Sequence, residues 1–398
     1  MADTDLDTFR GEVASWFRDH APKEWNRRSR EMDPGRYREA LLEWLAALNT
    51  KGFAAPALNP EWGGGGFGAR EQTIIYEEWA RADAPGLEAF IVSLHHVPST
   101  FLMAGTPEQQ QRFIPAAIRG EGWCQGFSEP GSGSDLASLR LPATRVEGGW
   151  EVSGQKIWST NADTAKWCLL LARTDPDSAG AAGITYFVLD MEAPGVEVRP
   201  IRQNTGYQEY CEIFLDRVHI PDGDVIGEVG QGWAVAQRTL TAERGPLGFD
   251  LLVRISVALE RQAAVIDRDG ASTALRARLA DLQDRVTLAR ALALDAVDAL
   301  EDAGNSGSLA SLLKLTFSEL LHDVMDFATV ASGTASLIAT GDPHFRGFVG
   351  GGPMTDWLGS WGWTISAGTN EIQRTIIAEK ILGLPREPRI RAASGATR

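Results

Sequence analysis

Cysteine is scarce in this chain of 398 residues: only Cys124, Cys168 and Cys211 occur. They form an odd set without CxxC spacing or a clustered histidine, which excludes a disulfide framework and a zinc site of the usual spacing. All three are expected to be buried thiols. Positive charge is also short, with 38 Lys and Arg against 53 Asp and Glu and a net charge of −15. Phosphate backbones need clustered cations, so nucleic acid is not an expected partner. An anionic cofactor stays compatible, because backbone N–H groups at turns and helix N-termini bind phosphate whatever the global charge. No stretch approaches the roughly 20 apolar residues of a membrane span. The N-terminus, MADTDLDTFR, has neither a basic nor an apolar leader region. A soluble, cytoplasmic chain with no membrane contact is the expectation. There is also no βαβ alternation and no G-x-G-x-x-G fingerprint, so a nicotinamide cofactor on a parallel sheet is unsupported.

What is present is ordinary globular composition, 43% hydrophobic and 23% charged, at a length that allows two or three structural units. Phe9, Val13, Trp16 and Phe17 recur at helical spacing, as do Tyr37, Leu41, Trp44, Leu45 and Leu48 before Gly52. Another helix is predicted from Ala69 through Trp79. The run Gly63 to Gly66 invites a phosphate-cradle reading, but no Lys-Ser/Thr follows it and no strand precedes it, so plain packing is expected. From about Cys124 the pattern turns to strands: Leu139 to Ala143, a Gly148-Gly149 turn, Trp150 to Ile157, then Trp167 to Ala172, Ile184 to Met191, Val196 to Ile201 and Glu212 to Ile220. After Gly232 helix periodicity returns, through about Ile266, then Ser272 to Ala303, Ser308 to Ile338 and Thr369 to Leu382. The expected class is α+β, in three domains: helical over 1–122, β over 123–232 and helical over 233–398.

Four blocks in order carry a resemblance. Cys124 to Asp135 reads CQGFSEPGSGSD, Gly154 to Asn161 reads GQKIWSTN, Val225 to Trp233 reads VIGEVGQGW, and Ala367 to Arg374 reads AGTNEIQR. Together they resemble the acyl-CoA dehydrogenases. That likeness implies an N-terminal helical domain, a middle β-barrel-like domain and a C-terminal four-helix bundle. It also implies FAD, an acyl-CoA or other acyl thioester substrate, and an electron-transfer acceptor. By resemblance, Gln125, Phe127 and Ser128 meet the flavin ring, Gly133 and Ser134 lie near the pyrophosphate, and Thr369 and Glu371 lie on the cofactor side. Glycines suit that role because a backbone nest approaches an anion only where no side chain intervenes. Trp158 and Thr160 stand two apart on a predicted strand, so an indole and a hydroxyl share one face and one flat ligand.

Dehydrogenation α,β to a thioester needs a carboxylate base in a site dry enough to raise its basicity. In many family members it precedes the C-terminal Gly-Thr, where this chain has Ala367. Isovaleryl-type and long-chain-type members instead carry it in a Glu-Arg pair on the first long helix after the sheet, and Glu243-Arg244 stands there. Ala236, Leu240, Glu243 and Leu247 fall on one apolar helical face, and no basic residue lies three or four positions from Glu243. Pro246 is expected to bend the helix. Glu243 is therefore the expected base, with Arg244, Ala367 and Gly368 on the substrate side. The family's Arg-x-Phe-Gly and Gln-x-x-Gly-Gly segments, which a partner subunit lays on FAD, have no counterpart here. A homo-oligomer (dimer or tetramer) or a heterotetramer with a related chain is expected. Three alternatives remain open: a carrier-protein-bound acyl substrate, a monooxygenase of the same fold, and a structural subunit of a mixed tetramer.

Overall fold

The computed structural model describes residues 3–178, 180–242, 247–269, 272–303, 309–337 and 352–386. Six helices come first: α1 (Asp3–His20), α2 (Trp25–Arg28), α3 (Pro34–Asn49), α4 (Ala69–Arg81), α5 (Val97–Ala104) and α6 (Pro107–Ile118), with a π-helical turn at Val92–His96. Helix α3 starts where Asp33 caps the Arg36 N–H, with Pro34 as its first residue. The run Gly63 to Gly66 is a packing device. A Cβ on Gly52 would collide with the Gly65 Cα, so two backbone segments touch where side chains would separate them.

Among the described residues eight strands follow: β1 (Trp123–Gly126), β2 (Ala143–Val146), β3 (Gly149–Thr160), β4 (Trp167–Arg173), β5 (Ile184–Asp190), β6 (Val196–Ile201), β7 (Tyr210–Pro221) and β8 (Val225–Ile226). They form two four-stranded sheets, ordered β1-β4-β5-β8 and β2-β3-β7-β6. β4 reads as an unbroken apolar run because both of its faces are covered. Trp167, Leu169 and Leu171 join the core of the N-terminal helices, whereas Cys168, Leu170 and Ala172 face the second sheet with Cys211, Ile213 and Leu215. The three cysteines are free and buried, as expected.

The chain then returns to helices α7 (Gly232–Ala242), α8 (Leu247–Asp269), α9 (Thr273–Ala303), α10 (Leu309–Ser332), α11 (Pro353–Ile365) and α12 (Asn370–Ile376). α8, α9 and α10 share a core built on Leu252, Ile255, Leu282, Leu321, Val324 and Phe327. Between the two helical regions, Glu77 on α4 is completely buried and takes ion pairs from Arg10 on α1 and Arg290 on α9. Thr100 and Thr239, 2.8 Å apart and buried, tie α5 to α7.

Helix α11 has no counterpart among the elements expected from the sequence. Gly359 and Gly362 depress helical propensity there, yet its Trp357 and Trp363 pack against the α8–α10 core, and tertiary burial prevails.

Candidate active site

Where β1 ends, the chain segment Phe127 to Glu129 is fastened to β3 by a buried cation. Lys156 Nζ donates to the Phe127 carbonyl at 3.0 Å and pairs with Glu129 Oε1 at 2.8 Å. The Ile157 N–H donates to the Ser128 carbonyl at 3.0 Å. Glu129 in turn accepts from the Arg140 and Leu141 N–H groups, each at 2.8 Å. Burial pushes the Lys156 ammonium down to about 8, with Glu129 opposing that shift, so the pair stays ionised at neutral pH. For Glu129 burial works against ionisation, but the Lys156 charge and the hydrogen bonds it accepts win, and its carboxyl is held below the usual range.

One step further along β3 the ladder with β7 slips between Lys156 and Ser159, and Trp158 takes a left-handed φ of 63°. The sequence predicts regular alternation placing Trp158 and Thr160 on one face. Instead a bulge re-aims the indole, as bulges beside sites commonly do. The outcome for the pair is the same: both residues line one cavity of about 410 Å³. The Trp158 indole is 56% exposed, and Tyr210 meets it edge-on at 6.1 Å. The Tyr210 hydroxyl is hydrogen-bonded to Glu209; burial, reinforced by that carboxylate, holds the phenol well above its ordinary range. Gln125 lies in the same wall, and its buried Nε2 has no hydrogen-bond partner among the described residues.

The C-terminal helices close the opposite side. Ala367 lines the cavity with a left-handed φ of 53°, followed by Gly368 at 84°. The Gln373 amide, fully buried, donates to the carbonyls of Ala367 at 3.0 Å and Gly368 at 3.3 Å. Asn370 Oδ1 accepts from Lys314 Nζ at 2.8 Å and Ser318 Oγ at 2.9 Å, which fastens the start of α12 to α10. Thr369 is the N-cap of α12, its hydroxyl accepting from the Ile372 N–H. Glu371 is exposed, and its own backbone N–H, then Thr369, hold its carboxyl below the usual range.

Of the residues singled out in the sequence, Gln125, Trp158, Thr160 and Ala367 therefore meet in one cavity. Phe127 and Ser128 lie just beyond it at the end of β1. Gly133 and Ser134 sit on an exposed loop, with open space around the Cα of Gly133. Gly368, Thr369 and Glu371 adjoin Ala367 in sequence but do not border the cavity. Glu243 and Arg244 lie outside the described residues, between the end of α7 and the start of α8. Sequence reasoning missed His96, Glu209, Tyr210, Lys314, Trp361 and Trp363, all of which border the cavity. A lysine within the otherwise apolar run LASLLKLTF of α10 was the signal that could have pointed to Lys314.

These features fit a flat heteroaromatic cofactor. An unmet amide donor, an indole left exposed by a bulge and glycines with open space at 131 and 133 are what a flavin ring and its phosphates need.

Three family profiles match in chain order: "Acyl-CoA dehydrogenase, N-terminal domain" over residues 4–121, "middle domain" over 124–218 and "C-terminal domain" over 230–382. The acyl-CoA dehydrogenase IpdE1 of Mycobacterium tuberculosis is 36% identical over 401 residues, covering 96% of this chain and 99% of that one. FadE34 of the same organism is 38% identical over 351 residues; the match takes in 85% of this chain but only 46% of that longer relative. Among solved structures, the Tcur3481-Tcur3483 steroid ACAD superposes with a TM-score of 0.84 at 28% identity, covering 97% and 99% of the two chains. The ChsE4-ChsE5 complex from Mycobacterium tuberculosis gives 0.81 at 26% identity, covering 98% and 99%. This chain belongs to the acyl-CoA dehydrogenase family. It is thereby an oxidoreductase of the flavoprotein type. Among the described residues, no helix is long and apolar enough to cross a membrane.

Proposed function

We propose that the chain dehydrogenates the Cα–Cβ bond of an acyl-CoA thioester, with FAD as its cofactor and Glu243 as the base that removes the α-proton. The observation that carries this reading is the convergence of Gln125, Trp158 and Thr160 from the β domain with Ala367 from the C-terminal helices around one cavity. When bound, FAD supplies the hydride acceptor. Gln125, the Phe127 and Ser128 backbone, the Ser128 hydroxyl, Trp158 and Thr160 would hold its ring. Gly133 and Ser134 would meet its pyrophosphate, with Thr369 and Glu371 on the cofactor side.

The methyl group of Ala367 cannot accept a proton, so the base must come from another element. Glu243 lies in sequence between α7 and α8, and α8 contributes Leu251 to the cavity wall. A base from that segment needs an apolar surround, which disfavours the ionised carboxylate and so raises its basicity. Arg244, Ala367 and Gly368 belong to the substrate side, where a backbone N–H near Ala367 would hold the thioester carbonyl. Tyr210, Phe317, Trp361 and Trp363 supply flat apolar wall, which favours a ring-bearing acyl group. The similarity to a steroid ACAD points the same way.

The test is Glu243→Gln in the FAD-loaded protein, followed by stopped-flow bleaching of the flavin with acyl-CoA. General-base catalysis contributes roughly 10²- to 10⁴-fold, and a loss of that order is expected in a protein that remains folded and yellow. Bleaching at the wild-type rate would sink the assignment.

A further inference from the structure

Among the described residues, the Asp, Glu, Lys and Arg side chains that border the main cavity are Glu88, Arg202, Glu209 and Lys314. Glu88 and Arg202 keep contact with solvent, whereas Glu209 and Lys314 are buried, 7% and 3% exposed. Buried charges are screened far less than exposed ones, so these two dominate the field inside the cavity. They have opposite signs and come from opposite walls, Glu209 from the β domain and Lys314 from α10.

The local structure holds each of them in place. β3 and β7 pair Thr160 with Tyr210, and just past that pair the Asn161 N–H donates to the Glu209 carbonyl at 2.7 Å. Glu209 is thereby fixed at the end of the ladder that carries Trp158 and Thr160. Its carboxylate meets the Tyr210 hydroxyl, which stays protonated because burial and that negative charge hold the phenol well above its ordinary range. Lys314 stands between Leu313 and Phe317, both in the cavity wall, and its Nζ donates to Asn370 Oδ1 at 2.8 Å. Ser318 Oγ donates to the same oxygen at 2.9 Å, so Asn370 keeps a donor if the ammonium is removed.

We propose that Glu209 and Lys314 form an opposed pair of charges that sets the reduction potential of the flavin in this cavity, Glu209 lowering it and Lys314 raising it. The inference rests on the FAD-dependent dehydrogenase reading of the cavity. Two-electron reduction adds negative charge to the ring, which a nearby carboxylate opposes and a nearby ammonium favours. The low-dielectric walls strengthen both effects. Neither residue handles the α-proton. Both act through their field on how readily the ring accepts a hydride, whereas Trp158 and Thr160 hold the ring itself.

The experiment measures the potential without any acyl-CoA present. Wild type, Glu209→Gln, Lys314→Gln and the double variant are loaded with FAD and reduced stepwise beside a reference dye, with folding checked by circular dichroism. Glu209→Gln should shift the equilibrium about ten-fold towards reduced flavin, about 30 mV for a two-electron couple. Lys314→Gln should shift it by a similar factor towards oxidised flavin, and the double variant should lie between the two. Glu209→Leu and Lys314→Met repeat each removal of charge, and either folded member of a pair decides its arm. Glu209→Asp and Lys314→Arg keep the charges and should stay closer to wild type than the neutral variants, which a merely structural role would not produce. No shift at either position, or shifts of one sign, overturns the proposal. Flavin bleaching by acyl-CoA reports the reaction separately. Bleaching with unmoved potentials overturns the charge pair alone, and opposite shifts without bleaching support the pair while overturning the reaction. A chain that takes up no FAD overturns both.

Discussion

The side-chain amide of Gln373 reaches back from α12 to the carbonyl of Ala367, 3.0 Å away, and holds a non-glycine residue in a left-handed conformation at the cavity wall. An L-residue there carries a steric cost of roughly 1–2 kcal/mol, which the surrounding bonds must outweigh. Gln373→Leu should therefore destabilise the fold by about 1–3 kcal/mol, the usual effect of unsatisfying buried polar groups. Ala367→Gly relaxes the turn, so the same Gln373→Leu change should cost less in that background. Urea denaturation of the four proteins of the cycle measures this, and equal costs in both backgrounds would refute the clamp.

The same turn offers a test of the base. Glu243→Gln combined with Ala367→Glu is expected to recover part of the flavin-bleaching rate lost in Glu243→Gln alone, since residue 367 already borders the cavity. No recovery in a folded, flavin-loaded double variant would count against both positions serving one α-hydrogen.

Trp158→Ala with Thr160→Ala should lower flavin occupancy while leaving the helical domains intact. The indole is exposed only because β3 slips out of register before Ser159, and the Thr160 side of the strand opens on the same cavity. Near-normal circular dichroism with lost flavin absorbance is the expected result; unchanged flavin content would show that the cavity wall serves something else.

The buried Lys156 gives a pH signature. Its ammonium titrates at about 8 in the folded chain against 10.5 for the free side chain. Between those values the unfolded chain keeps a proton that the folded chain has released, so stability from this residue rises with pH across that window. The stability difference between wild type and Lys156→Met should be level below about 8 and shift in favour of wild type towards 10.5. A difference that stays level from pH 8 to 10 would mean that Lys156 is not desolvated as described.

The surface of the C-terminal helices leads to an expected oligomer. Val330, Trp361, Ile365 and Leu384 are 52%, 47%, 64% and 52% exposed on those helices and the segment after them. Trp361 also borders the cavity, so a second chain seated on it would lie against the site. Light scattering and FAD titration of the purified chain should show an assembly larger than a monomer; a monomer that holds stoichiometric FAD tightly would overturn this.

Much of the architecture was legible because burial follows short-range rules. The two-residue alternation around Trp150, the continuous apolar run of β4 and the helical spacing of Leu41, Trp44, Leu45 and Leu48 each report a face that must be covered, and each element forms where that pattern lies. The ordered motifs marked Gln125, Trp158, Thr160 and Ala367 as one group, although nothing local makes them neighbours.

Other features depended on contacts between distant segments. Trp158 lines the cavity through a left-handed bulge that the period of a strand does not encode, and α11 forms against local propensity because Trp357 and Trp363 find a core to enter. Lys156 is a surface-type residue by composition, yet Glu129 and the Phe127 carbonyl make its burial tolerable. Sequence by itself determined those elements whose buried face is reported by neighbours within a few residues. Only the tertiary structure decided the shape and polarity of the site, because those are set by which distant groups meet, and no local pattern encodes that meeting.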